Sequence, residues 1–184
     1  MANHRQKTDP RAILITLMLR EDHKKVTQLF DQYDATTNVN EKRDVVTAVL
    51  AALEVLTKLE EELIYPAWRE YMDEQDVMDE ALREHHVVHG LIEELKNMNP
   101  DDKKYSFKFT ILSGHVKNRI NEMEGKIFPQ AERAELDWEG LTKRVMQRRQ
   151  SLEQKTLWLL GVPVIFASET VRTPRMVLSR RSGC

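Results

Sequence analysis

Apolar residues recur at steps of three and four along most of the chain, the spacing that gives a helix one buried face. The stretches with this spacing cover about residues 9–33, 41–72, 76–97 and 103–134, with a shorter one over 138–155. The connections between them are short and polar. Four long helices with short connections pack as an up-down-up-down four-helix bundle, so we predict an all-α fold with a short fifth helix and a C-terminal tail.

Helix ends and a repeated proline support this division. Asp9 and Pro10 are a capping carboxylate followed by a proline in the first turn, and Asp137 is placed to cap the fifth helix. Pro66 and Pro129 lie late in the second and fourth long helices, where we expect each to bend or end the helix. Their matching placement suggests that these two helices are related.

The helical pattern divides the chain into an N-terminal tail over 1–8, a helical bundle over 9–155 and a C-terminal appendage over 156–184. The appendage is apolar from Leu157 to Ala167 and then becomes basic. Its basic residues are Arg172, Arg175, Arg180 and Arg181. We expect the apolar part to pack on the bundle, and the alternatives are a homodimer contact and contact with a membrane surface.

Composition excludes several classes of protein. The chain has 184 residues, a formal net charge of −2, 41% apolar and 32% charged residues, so it can bury a core and shows no sign of a nucleic-acid partner. Its single cysteine, Cys184, cannot form an internal disulfide, which fits a reducing cytoplasm. The N-terminus lacks a secretion signal and no apolar run has the length of a membrane span. We therefore expect a cytoplasmic protein without an integral membrane segment.

Polar residues interrupt the apolar stripes of three helices, at His23, Glu60, His85 and His89. A single histidine in such a stripe is most often a hydrogen-bonded core residue. Here several helices each supply a polar residue to the same kind of position, and a buried Glu60 carboxylate needs a cation nearby. His85 and His89 are one turn apart and can face one metal. Nitrogen and oxygen ligands of this kind suit iron, zinc or manganese, so the pattern predicts a metal site inside the bundle.

Local segments of the chain resemble a known family. The hemerythrin-like HHE cation-binding domains have helix signatures similar to REDHKKVTQLFDQY, LEEELIYPAW, EALREHHVVHGLIEEL and EMEGKIFPQA. The similarity covers roughly residues 9–155. It implies a four-helix bundle that holds a non-haem di-iron site. Members of that family bind dioxygen, sense oxygen or redox state, or handle iron.

The resemblance also implies which residues face the metal. His23 falls on the ligand of the first helix, and Glu60 falls on the carboxylate of the second. His85 matches the ligand of the third helix, and His89 matches a second histidine found in the oxygen-carrying members. Iron is then the implied cofactor, with iron or dioxygen as the implied partner.

Three ligand positions of the family hold other residues in this chain. Counting back from the two prolines places Leu56 and Arg119 where histidines are expected, and Met123 where a carboxylate is expected. His115 and Glu122 are the nearby substitutes. His115 lies one turn, about 6 Å, from Arg119 along the helix axis, and Glu122 is rotated by about 100° from Met123. A metal would reach either substitute only if it sat off-centre or the helix shifted its register.

The permanent charge of Arg119 gives this pattern a metal-free interpretation. We predict that its guanidinium occupies the ligand cavity and pairs with Glu60 in place of a metal cation. The protein would then be a non-catalytic binding or sensing protein with weak or absent di-iron binding. The alternatives are an iron- or oxygen-binding protein with a mononuclear or atypical metal site, and a metal-free interaction or scaffold protein. We do not expect an enzyme, because the chain shows no nucleophile with its base, no phosphate-binding loop and no Rossmann fingerprint.

Overall fold

The computed structural model describes residues 10–71 and 75–159, and nearly all of them are helical. The helices are α1 Pro10–Ala35, α2 Val39–Leu59, α3 Tyr65–Arg69, α4 Gln75–Asn97, α5 Lys103–Glu122, α6 Phe128–Ala131 and α7 Trp138–Leu159. Two π-helices, π1 Glu60–Ile64 and π2 Met123–Ile127, join α2 to α3 and α5 to α6. No strand occurs in these two stretches of chain, so the all-α prediction is confirmed.

Four helical rods form the bundle, namely α1, the continuous α2–π1–α3 unit, α4 and the continuous α5–π2–α6 unit. The most extensive contacts join α1 to α2 and α4 to α5, and further contacts join α1 to α5 and α3 to α4. Short turns connect successive rods, which therefore run antiparallel. The fifth helix, α7, packs against α1, α2 and π1. It has 22 residues and ends at Leu159, so it is longer than the sequence pattern predicted.

Side-chain caps fix where several helices begin. The Asn38 side chain accepts hydrogen bonds from two backbone amides at 2.9 and 3.2 Å, and α2 therefore begins at Val39, earlier than predicted. The Asp102 carboxylate caps α5 in the same way at 2.8 Å. The predicted cap at Asp137 is confirmed, because its carboxylate accepts from the backbone amide of Gly140 at 2.9 Å.

The two π-helices occupy matching places in the second and fourth rods. The Tyr65 amide donates to the carbonyl of Glu60, and the Phe128 amide donates to the carbonyl of Met123, five residues back in each case. A proline follows each of these amides in the first turn of the next α-helix, a position that tolerates a missing N–H. Each rod therefore continues past its proline, where we expected a bend or an end.

The core consists of two apolar clusters, one towards each end of the bundle. The cluster beside α3, α6 and α7 includes Leu19, Leu59, Trp68, Met123, Phe128 and Leu141. The cluster at the other end includes Val26, Phe30, Leu53, Ile92, Phe109 and Val116. The largest fully buried side chains in both clusters are aromatic. The buried polar residues picked out from the sequence lie between the two clusters.

At two positions of α4, the buried residue lies one place before the residue that the apolar spacing predicted. Ala81 and Val88 are buried, at 0% and 4% exposure, whereas Leu82 is 39% exposed. His89 is half-buried for the same reason. Because the residue pairs 81/82 and 88/89 are both compatible with a step of three or four, the spacing alone could not distinguish them.

Two sequence predictions concern regions that the structure describes only in part. No helix in the described ranges 10–71 and 75–159 is long and apolar enough to cross a bilayer. The N-terminal tail and most of the C-terminal appendage, from residue 160, lie outside the described residues. The division into tail, bundle and appendage therefore stays a prediction, except that residues 156–159 belong to α7.

Candidate metal centre

A buried polar layer separates the two apolar clusters. We define it as His23 on α1, Glu60 at the start of π1, His85 on α4 and Arg119 on α5, each at most 7% exposed. Each of these residues occupies one step of an otherwise apolar stripe, so folding of the four rods brings them to the same level of the bundle. The structure thus gathers one polar side chain from every rod.

Glu60 lies at the centre of the polar layer, between two imidazoles. Its carboxylate oxygens are 3.1 Å from Nε2 of His85 and 3.8 Å from Nε2 of His23. Burial opposes ionisation of this carboxyl, but the hydrogen bonds and charges of the two histidines outweigh it and lower the pKa of Glu60 to about 2. The two imidazoles therefore favour the anionic form of Glu60.

A second carboxylate, Glu61, holds the far side of His85. Nδ1 of His85 and Nε2 of His89 each donate to Oε1 of Glu61 at 2.9 Å. Burial lowers the pKa of His85, but the hydrogen bonds and charges of Glu60 and Glu61 act in the opposite direction and raise it to about 9. His89 contacts Glu61, is 36% exposed and is not among the hydrogen-bond or ion-pair partners of Glu60.

Glu124 holds His23 in the corresponding way on the other side of the bundle. Nδ1 of His23 donates to Oε1 of Glu124 at 2.9 Å, and Arg20 donates to the other oxygen at 2.9 Å. Burial again lowers the pKa of His23, and the pairing with Glu60 and Glu124 raises it overall. Each buried histidine is thus clamped between two carboxylates, which fixes its ring and favours its charged form.

The Arg119 guanidinium pairs with carboxylates other than Glu60. Its Nη1 lies 3.6 Å from Glu84 and 3.7 Å from Glu122, both partly exposed carboxylates. Its Nη2 donates to Sδ of Met123 at 3.1 Å and to the Tyr65 hydroxyl at 3.4 Å. The guanidinium carbon also lies 5.7 Å from the centroid of the Tyr65 ring, within cation–π range.

The predicted ion pair between Arg119 and Glu60 is therefore wrong. The cations beside Glu60 are the two histidines, and the carboxylates beside Arg119 are Glu84 and Glu122. The sequence correctly indicated that a buried Glu60 needs a cation. It did not reveal that clamping by Glu61 and Glu124 would make the histidines the cations.

A cavity of about 30 Å³ lies within the polar layer. Its lining includes His23, Leu56, Thr57, Glu60, His85 and Arg119. The Arg119 Nε is buried and has no hydrogen-bond partner, so one N–H of the guanidinium remains free to donate. The cavity is large enough to admit a water molecule, and the residues that line it include a hydrogen-bond donor, Arg119, and an acceptor, Glu60.

The remaining candidate positions lie as follows. Leu56 is buried beside the cavity, and Met123 is fully buried with its sulfur against Arg119. Glu122 lies at the rim of the bundle, paired with Arg119 and with Lys126. His115 is exposed on α5 and does not line the cavity. Within the described ranges, no group of three or more His, Cys, Asp or Glu side chains is arranged so that it could hold a metal ion.

Sequence reasoning missed the roles of Glu61, Glu124 and Tyr65. Glu61 lies in the acidic run Glu60–Glu62, which is most simply interpreted as a solvated face, but it pairs with two histidines. Glu61 and Glu124 each lie five residues before a proline, Pro66 or Pro129, and this matched spacing could have identified them as a pair. The Tyr65 hydroxyl lies 3.2 Å from Nε2 of His85 and 3.6 Å from Sδ of Met123, so it adds a buried hydrogen-bonding group to the site.

Comparison with known proteins gives a family match over the part of the chain that forms the bundle. The family model of the hemerythrin HHE cation-binding domain matches residues 14–131, well over half of the chain. That range contains all but the first four residues of the four rods and every residue of the polar layer. No curated protein and no solved structure matches the chain. The chain therefore belongs to the hemerythrin HHE cation-binding domain family.

Proposed function

We propose that this chain is a non-catalytic binding or sensing protein of the hemerythrin family, in which side-chain ion pairs hold the centre of the bundle in place of two irons. The observation that carries this proposal is Arg119. It stands at a histidine position of the family, is 7% exposed and lines the same cavity as His23, Glu60 and His85. Its charge cannot be removed by deprotonation in a protein.

A di-iron centre does not fit the side chains around this cavity. Di-iron centres in such bundles use several carboxylates and imidazoles from the four helices, whereas the lining of this cavity offers only Glu60, His23 and His85 as ligands of these kinds. Leu56 offers no donor atom to a metal, and the thioether of Met123 is a soft ligand that suits iron poorly. The Arg119 guanidinium would also repel a cation at short range. The side chains thus support a centre held by protein charges.

A second candidate is a protein that binds one metal ion, in keeping with the cation-binding family. The observation that favours it is the convergence of His23 and His85, each of which directs Nε2 at the carboxylate of Glu60. A metal would have to replace the protons on both imidazoles, because metal ligands must be deprotonated. The carboxylates Glu61 and Glu124 would then orient the rings through Nδ1.

Metal analysis of the purified protein separates these candidates. The protein should be expressed with iron supplied and then examined by elemental analysis and ultraviolet–visible spectroscopy. The proposal expects well below one equivalent of iron per chain and no oxo-bridged absorption. About one equivalent of a single metal would favour the second candidate, and about two equivalents of iron would reject the proposal.

Restoring the family ligands provides a sharper prediction. The triple variant Leu56→His, Arg119→His and Met123→Glu should take up about two equivalents of iron, because it supplies the missing nitrogen and oxygen ligands around Glu60. The matched control is Leu56→Asn, Arg119→Gln and Met123→Gln, which makes the same positions polar without ionisable ligands. Equal iron uptake by both variants would show that the cavity is not a substituted metal site.

We place the protein in the cytoplasm, on the ground that its single cysteine, Cys184, matches the cysteine usage of a reducing compartment. We propose a non-catalytic role because the polar layer contains a single carboxylate, Glu60, whereas metal centres that activate dioxygen in such bundles use several. Iron or dioxygen remains the ligand of the second candidate.

A further inference from the structure

Two grooves open beside the C-terminal end of α7. Thr156, the last side chain of α7 that the structure describes, lines both of them. The first, which we call the α2–α4 groove, has a volume of about 400 Å³. The second, the α1–α7 groove, has a volume of about 390 Å³.

The α2–α4 groove has an apolar floor. Leu50, Leu95 and Tyr105 form it and are themselves at most 9% exposed, and Met98 adds a partly buried side chain. Its rim is polar and includes the exposed residue Thr47. Covering this floor with another apolar group would stabilise the protein, because it removes apolar surface from water.

The axis of α7 points towards this groove. Arg148 of α7 pairs with Glu62, whereas Thr156 shares a groove wall with Ala51, so later residues of α7 meet earlier residues of the second rod. Past Thr156 the axis therefore points towards Thr47, on the rim of the α2–α4 groove.

We propose that the apolar segment 160–167, with sequence LGVPVIFA, covers the α2–α4 groove of its own bundle. The segment begins four residues after Thr156, and eight residues can extend over about 26 Å, enough to reach across the floor. Gly161 and Pro163 are residues that stop a helix, so the chain can leave the direction of α7 there. Its valine, isoleucine and phenylalanine match the apolar floor.

Acidic residues near the α2–α4 groove suit the basic residues that follow the apolar segment. Pro100, on the groove lining, is followed by Asp101 and Asp102, both exposed. The chain after the apolar segment is basic, beginning with Arg172 and Arg175. Opposite charges at the far end of the groove would therefore meet the tail as it leaves the floor.

The α1–α7 groove is also largely apolar, with Val26, Val55 and Leu56 in its lining, and both grooves carry charged residues at their edges. The direction of the chain distinguishes the two grooves. To enter the α1–α7 groove the chain would have to reverse direction at the end of α7, because residues 149, 153 and 156 of α7 itself form one wall.

Disulfide trapping tests the proposal on the full-length chain. Cys184 is the single cysteine, so Cys184→Ser gives a cysteine-free background. Into this background Ile165→Cys is introduced together with Thr47→Cys on the proposed groove. The first control pairs Ile165→Cys with Lys25→Cys on the other groove, and the second pairs it with the exposed position Thr110→Cys on α5.

An intramolecular disulfide should form several-fold faster in the Thr47 pair than in either control, as measured by peptide mass spectrometry and gel mobility without reductant. Faster formation in the Lys25 pair would assign the segment to the α1–α7 groove and overturn the proposal. Predominantly intermolecular disulfides would overturn it in favour of a second copy of the chain as the occupant. Equal rates in all three pairs would overturn it as well.

Truncation supplies a second readout that needs no cysteine. Deleting residues 160–184 should lower the melting temperature by several degrees, because it uncovers the floor of the groove. Deleting only residues 169–184 should lower it less, since the apolar segment remains. An unchanged melting temperature after the longer deletion would contradict the proposal.

Discussion

Glu60 is the residue on which the centre of the molecule depends. An ionised carboxylate at 3% exposure would cost several kcal/mol without a partner. Here His85 and His23 supply the positive charge, and each is itself held by a second carboxylate. The acid and its histidines therefore depend on one another, and changing one should alter the protonation of the rest.

Replacing Glu60 by glutamine should lower the pKa of His85 by more than one unit. The variant removes the charge and the strongest hydrogen-bond acceptor beside Nε2, while burial, which lowers the pKa, remains. Nuclear magnetic resonance titration of the His85 ring measures this. The control is Glu62→Gln, which removes a carboxylate paired on the surface with Arg148. A His85 pKa that stayed near 9 in Glu60→Gln would contradict the ion pair.

The stability of the metal-free protein should depend on pH through the same pair. His85 has a raised pKa, so its contribution to the free energy of unfolding is complete below pH 6.5 and is lost as the pH rises to about 9. Glu60 has a lowered pKa, so its contribution is complete above pH 4.5 and is lost as the pH falls to about 2. Urea unfolding should therefore show a free energy that declines from pH 6.5 to 9 and again below pH 4.5. A decline of equal size above pH 6.5 in Glu60→Gln would refute this origin.

At this scale the sequence predicted which residues are buried together better than how they pair. His23, Glu60, His85 and Arg119 all reach the polar layer as expected. The partners could not be predicted, because a long arginine side chain can turn to either side of its helix. Whether a histidine is charged depends on carboxylates brought close only by folding, such as Glu61.

Among the elements, the two π-helices and α7 differ most from the sequence prediction. A step of three or four residues is nearly the same in an α-helix with one π turn as in one without, so π1 and π2 leave no clear trace in the apolar spacing. The matched prolines indicated that the second and fourth rods are related, and the matched π-helices extend that likeness. The length of α7 was underestimated because its apolar positions are sparse.

An ion pair between Arg149 and Asp22 attaches α7 to α1. Arg149 forms a two-pronged hydrogen bond with Asp22, and both side chains are less than one-fifth exposed, at 18% and 15%. Arg149→Ala should reduce the free energy of unfolding by about 1.5–3 kcal/mol, the range for hydrogen bonds between charged groups. Chemical denaturation measures this change.

The neighbouring residue provides a matched control. Arg148 forms a similar two-pronged pair with Glu62, but the two side chains are 38% and 41% exposed. Water and salt screen such a pair, so Arg148→Ala should cost no more than about 1 kcal/mol. If the two variants lost equal stability, burial would not be what distinguishes these pairs.

For the whole molecule, the fold class was predictable because four long stripes leave few ways to bury their apolar faces. In the fourth rod, the seven residues that recur at steps of three and four from Tyr105 to Ile127 are each at most 9% exposed, namely Tyr105, Phe109, Leu112, Val116, Arg119, Met123 and Ile127. The division of the core into two clusters was not predictable from spacing alone. It arises because the buried stripe of each rod contains one residue of the polar layer, and the four residues lie at the same level of the bundle.

A pair of phenylalanines tests where the core lies. Phe30 is 1% exposed and packs against Phe109, with ring centroids 5.4 Å apart. Phe30→Ala should reduce the free energy of unfolding by about 3–5 kcal/mol because it leaves a cavity. Phe107 is 67% exposed, and Phe107→Ala should change it by no more than about 0.5 kcal/mol. Denaturant unfolding measures both, and a similar loss for the two would place the core elsewhere.

The polar layer between the two apolar clusters also fixes the register of the rods along the bundle axis. Apolar faces alone would let one rod slide past another by a helical turn, about 5.4 Å, with little loss of contact. Such a slip would carry the Glu60 carboxylate away from both imidazoles and in among leucines and aromatic rings, where it would stand alone. The contacts of Glu60 with His23 and His85 can therefore keep the rods that carry them in register.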